Sequence, residues 1–199
     1  MLPTIIAGLA ILIVSVIIHE TAHGYAALAQ GDQTARLAGR LTLNPLAHLD
    51  PIGSVLVPLA LFALGAPVFG WAKPVPYNPY NLRDQRWGPA FVALAGPVSN
   101  FFLALVFSLL WRGGWQNELI LLAVFINLTL AVFNLIPIAP LDGSKILFAL
   151  IPVRYRAIQT WLERHQLLFF LIILILIANT TILEQAVTSL FRLFTGASL

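Results

Sequence analysis

His19, Glu20 and His23 have the types and spacing for chemistry, and they stand within residues 16–25, a stretch otherwise apolar enough to enter a bilayer. On a helix the two histidines fall at i and i+4 on one face, with Glu20 beside them. Neutral imidazoles so placed supply two corners of a tetrahedral zinc site. A third protein ligand must come from elsewhere, and the open fourth corner can hold water. Glu20 is then the expected base acting on that water. Ionisable side chains deep in an apolar span are costly to bury, which makes function their default reading.

The chain has no cysteine, so any metal must be held by His, Asp, Glu or Asn. A second polar cluster, Asn-Leu-Ile-Pro-Ile-Ala-Pro-Leu-Asp-Gly, covers residues 134–143. Pro137 and Pro140 break the helix and Gly143 allows a sharp turn, which puts Asp142 on irregular backbone. Membranes accept such backbone only inside protein or beside a water-filled cavity. Asp142 is the candidate third ligand; the plainer reading is a cap in a Pro/Gly turn. His48 and Asp50 are candidates to support a metal site from its second layer, although a Pro-bounded turn capped by Asn44 and Asp50 accounts for them equally well. Asn100 places an amide at lipid depth, where it can bind helices together or support the site. His165 has no catalytic role in this reading, and no substrate-binding residues can be named.

The elements that must position these residues are membrane helices. Of 199 residues, 59% are hydrophobic and 10% charged, and the mean hydropathy of +0.89 is too high for a soluble domain. The net charge of +3 comes from basic residues scattered between apolar runs and not gathered into a stripe, which argues for a lipid bilayer and against nucleic acid as partner. The N-terminus lacks a basic n-region and a cleavage site, so the first span is expected to be retained. The expected fold is all-α, a polytopic helix bundle of about four full spans, near 2–28, 87–112, 118–136 and 167–183. Residues 54–69, interrupted by Pro58, Gly65 and Pro67, are expected to be re-entrant or partial. The alternate prolines of 71–80 favour a short extended or β region, able to pair with a peptide or to form a stiff interfacial loop anchored by Trp71, Tyr77 and Tyr80. Residues 153–166 form an amphipathic segment, and Val187, Leu190, Phe191 and Phe194 mark a tail expected to lie flat on the membrane. One domain, 1–199, holds a core at 1–150 and a C-terminal helix, span and tail at 151–199.

His19 and Asp142 can share a metal only if their spans run in the same direction, with an odd number of crossings between them. Residues 87–112 supply one, so 54–69 should not cross. That arrangement puts nine of the eleven Lys and Arg on one side, leaving Arg112 and Arg192 opposite. The positive-inside rule then places the metal towards the cytoplasmic face of the plasma membrane.

The two clusters, His-Glu-x-x-His at 19–23 and Asn-x-x-Pro-x-x-Pro-Leu-Asp-Gly at 134–143, resemble the motifs of the site-2 protease family of intramembrane zinc metalloproteases. Gly96-Pro97-x-x-Asn100 looks like the family's middle core helix. The resemblance implies His19, His23 and Asp142 as zinc ligands, Glu20 as general base, and Asn134 as a polar group at the scissile carbonyl. It implies a zinc metalloendopeptidase that cuts single-span membrane proteins, such as bacterial anti-sigma factors. No segment is long enough for the PDZ or CBS domains of many relatives, so a compact form is expected. Two other readings stay open. One is a membrane metal carrier using the same three residues as a transit site; the other is an inactive protein that captures single-span partners. Glu20 argues against both, since neither has an evident need for a base among the ligands.

Overall fold

The fold is seen in a computed structural model that describes residues 2–63, 65, 72–152, 154 and 156–197. Three helices build the centre: α1 (Leu2–Ala29), α4 (Gly88–Arg112) and α5 (Glu118–Asn134). α1 and α4 are long and apolar enough to cross a membrane, and the 17 residues of α5 give it a length of about 25 Å. α5 starts where Asn117 accepts a hydrogen bond from the Leu119 N–H, with Glu118 on the positive end of the helix dipole.

Side-chain pairings fix the relative directions. Along α1, Gly8 faces Leu122, Ser15 bonds Asn127 and His19 faces Asp142, so α1 and α5 ascend together. Against α4 the order reverses, because His23 meets Val92 and His19 meets Asn100. A metal shared by His19 and Asp142 requires this parallel pair.

Between α1 and α4 lie α2 (Thr34–Leu37), a π-helical turn at Pro51–Leu56 and α3 (Val57–Ala63). The expected re-entrant segment falls partly on 64 and 66–69, outside the described residues, as does Trp71. Residues 72–78 carry no regular secondary structure, and among the described residues no strand forms. The β part of that expectation is therefore corrected, and the cause is visible in Pro74 and Pro76, which remove backbone donors from one edge. Asp32, with no exposed surface, ties this segment to the end of α1. Its carboxylate accepts from the Asn78 N–H at 2.7 Å, from Asn81 Nδ2 at 2.9 Å and from both the N–H and hydroxyl of Thr34. Burial alone would raise its pKa, but these hydrogen bonds outweigh burial and hold the group below the ordinary carboxylate value.

After α5 come α6 (Asp142–Leu150), α7 (Arg156–Arg164), α8 (Gln166–Ala178) and α9 (Ile182–Thr195). α8 is apolar all round and leaves Leu167, Leu171 and Ile175 exposed, as suits a lipid-facing helix. The apolar stripe of α9, expected to meet a membrane surface, packs instead within the helix bundle. Val187 and Phe191, one helical turn apart, bury themselves against Ala104 of α4 and Val124 and Leu128 of α5. Arg112 then donates to the carbonyls of Leu193 and Phe194, closing the C-terminal end of α9.

Candidate metal centre

α1 presents His19 and His23 on the face turned to α4, and each ring is held by its Nδ1. His23 Nδ1 lies 2.7 Å from the carbonyl oxygen of Val92. A carbonyl only accepts, so this nitrogen carries the proton and Nε2 is left with its lone pair. His19 Nδ1 lies 2.6 Å from Asn100 Oδ1, giving the same tautomer. The free Nε2 atoms point at each other across 3.0 Å.

Asp142 completes the cluster from the first residue of α6, so the irregular backbone expected around it ends at Leu141. Pro137 and Pro140 end α5, the chain folds back through 135–141, and Gly143 packs so tightly on the carbonyl oxygens of Leu135 and Ile136 that a side chain there would clash. Asp142 Oδ2 thereby comes to 3.2 Å from His19 Nε2 and 3.3 Å from His23 Nε2. That oxygen is buried and receives no hydrogen bond. Two nitrogen lone pairs and a carboxylate oxygen, all acceptors, thus face one point in a shielded place, an arrangement that repels itself without a cation. A tetrahedral ion with bonds of about 2.0–2.1 Å separates its ligand atoms by about 3.3–3.4 Å, close to the spacing seen here. The donor set and its size both fit zinc.

Gly96, noted in the sequence only within the likeness to the family's middle core helix, has a defined steric part. A Cβ at this position would lie 2.5 Å from His23 Nε2 and 2.6 Å from His19 Cε1. The missing side chain is the space that the two rings occupy.

Glu20 adjoins the cluster, and its Oε2 accepts from the Val75 N–H at 2.8 Å. The segment that carries Val75 is fastened in place: the Lys73 N–H donates to the His48 carbonyl at 2.9 Å, and Arg40 Nη2 donates to the carbonyls of Lys73 at 2.7 Å and Pro74 at 3.3 Å. In the sequence Arg40 was legible only as one more positive charge.

Other expected residues sit elsewhere. His48 is buried with Nε2 on the Thr42 carbonyl, outside the ligand cluster. Asp50 accepts from the N–H groups of Ile52 and Gly53, the local cap that its place before Pro51 allows. Asn134 donates from Nδ2 to the Leu130 carbonyl of its own helix. Asn100 does touch the site, through His19. Sequence reasoning missed Asn127 and Ser15, which continue the hydrogen-bond chain behind Asn100; an amide in the apolar run of α5 was the available signal.

The profile described as "Peptidase family M50" matches residues 7–114 and 109–177. The chain belongs to peptidase family M50. M50 peptidases are membrane-embedded zinc metalloproteases that act on membrane proteins, so this chain is a member of a hydrolase family whose metal is zinc. It is 40% identical over 179 residues to a Bacillus subtilis protein named "Putative zinc metalloprotease YwhC", an alignment covering 82% of this chain and 78% of that one. Two proteins named Rip2 are more distant: that of Mycolicibacterium smegmatis is 32% identical over 137 residues and that of Mycobacterium tuberculosis 30% over 143. The chain spans about half the length of each Rip2, 52%. No solved structure matches the chain.

Proposed function

We propose that this chain is an intramembrane zinc endopeptidase in which His19, His23 and Asp142 hold the metal and Glu20 is the general base. The observation that carries the reading is the triangle of acceptor atoms, 3.0, 3.2 and 3.3 Å apart, with Glu20 next to it in sequence and space. Zinc supplies Lewis acidity and brings the pKa of water towards about 7. The chain supplies the rest. Val92 and Asn100 keep each Nδ1 protonated and each Nε2 available. Val75 holds Glu20 Oε2, leaving Oε1 to take the proton from water and return it to the departing amine. Asn134 is assigned to the scissile carbonyl, to which the second N–H of its Nδ2, the one not given to Leu130, can donate.

The substrates in this reading are single-span membrane proteins, bacterial anti-sigma factors among them, whose helix must open locally before attack. The whole chain acts as one domain, with about four spans, residues 54–69 not crossing, and the metal towards the cytoplasmic face of the plasma membrane. The test is cleavage of a single-span substrate in detergent after zinc is stripped and restored. Cleavage that follows zinc and falls about 10²–10⁴-fold in Glu20→Gln, with zinc still bound, is expected. Bound zinc with no cleavage, or undiminished cleavage by Glu20→Gln, would contradict it.

A further inference from the structure

The two histidines hold the same tautomer by different means. For His23 a backbone carbonyl, Val92, accepts from Nδ1 directly. For His19 the neighbour is an amide, and Asn100 could in principle offer either its oxygen or its nitrogen. Turned the other way, Asn100 would donate to Nδ1, move the ring proton to Nε2, and block the atom that faces Asp142.

What settles the orientation lies farther back, in residues with no exposed surface or nearly none. Asn127 Nδ2 is 2.9 Å from the Ala123 carbonyl, an obligate acceptor, and 3.0 Å from Ser15 Oγ. The Asn127 amide is therefore fixed with its oxygen towards Asn100, whose Nδ2 donates to it at 2.9 Å. A longer contact of 3.5 Å to the Ser15 carbonyl favours the same orientation. Asn100 must then present Oδ1 to His19. Asn100 and Asn127 are both 0% exposed and Ser15 2%, so no bulk water can stand in for a missing partner. A buried polar chain of this kind, with every link made, specifies one arrangement.

We infer that Asn127 is a positioning residue for the metal site: through Asn100 it fixes the Nδ1–H tautomer of His19 and so keeps Nε2 free for zinc. The inference rests on His19 being a zinc ligand, as proposed above, but the tautomer can be read without metal or activity.

The experiment is 15N NMR of the His19 ring in the intact metal-free protein, paired with zinc affinity from competition with a chelator. Asn127→Leu fills the space and removes the acceptor; Asn127→Ser keeps a hydroxyl for Ala123 but cannot reach Asn100. Asn127→Asp, protonated in this buried place, can still accept from Asn100. The Leu and Ser variants are expected to lose the pure Nδ1–H signature and to bind zinc about 10–100-fold more weakly, the range for outer partners of a metal ligand, while Asn127→Asp keeps both. Should the Leu variant fail to fold, the Ser and Asp pair decides. An unchanged His19 tautomer in Asn127→Ser, or zinc binding within about twofold of wild type in the folded variants, overturns the inference. A changed tautomer with wild-type protein that binds no zinc would leave the positioning intact and overturn instead the reading of His19 as ligand.

Discussion

Single atoms decide the chemistry of this site. Gly96 is the sharpest case, because any side chain there competes with both imidazoles for the same space. Gly96→Ala is expected to weaken zinc binding at least about 10–100-fold while leaving α4 helical, read as metal content after dialysis against a chelator and as circular dichroism. Much of this was legible in the sequence: His19 and His23 at helical spacing, Glu20 between them, and Asp142 in a Pro/Gly turn name the cluster without a structure. The backbone's part was not legible. Val92 and Val75 act through their main-chain carbonyl and N–H, which every residue carries, so no residue type announces them. Asp50 and His48 left two readings open for the reverse reason, since their types suit a metal while their neighbours, Pro51 and Thr42, hold them in the loop.

Among the elements, the packing of α9 and the anchoring of residues 72–78 are separable. Phe191 has no exposed surface and fills the seam between α4 and α5. Phe191→Ala is expected to cost about 2–3 kcal/mol in detergent unfolding, below the usual figure for a buried phenylalanine because lipid or detergent replaces water as the alternative surroundings. Asp32→Ala, which strands the donors of Thr34, Asn78 and Asn81, is expected to cost about 2–3 kcal/mol. Because the folded pKa of Asp32 lies below its ordinary value of 3.8, its stabilisation is complete above that pH and is lost as pH falls through the folded value. Thermal unfolding below about pH 4 should thus fall less steeply in Asp32→Asn than in wild type. Helix positions were readable from apolar runs, with α1 and α4 within a residue or two of expectation. The docking of α9 was not, since Val187 and Phe191 at i and i+4 suit a lipid surface as well as a helix seam, and only the partner face distinguishes them.

For the whole molecule, three helices with alternating direction bring residues 19, 23 and 142 to one point, and membership of M50 supplies the chemistry expected there. The sequence constrained that topology because a shared metal requires α1 and α5 to run together, whereas the sidedness of the membrane rests on charge distribution alone. In the proposed site these three side chains are the complete protein ligand set of one zinc ion. Zinc-edge X-ray absorption on the purified protein tests it directly, with metal content measured in the same sample. About one zinc per chain, bound by two imidazole nitrogens and one carboxylate oxygen at about 2.0–2.1 Å, with binding lost in Asp142→Ala, is the predicted result. A different ligand set, or an unaltered zinc spectrum in Asp142→Ala, would contradict it.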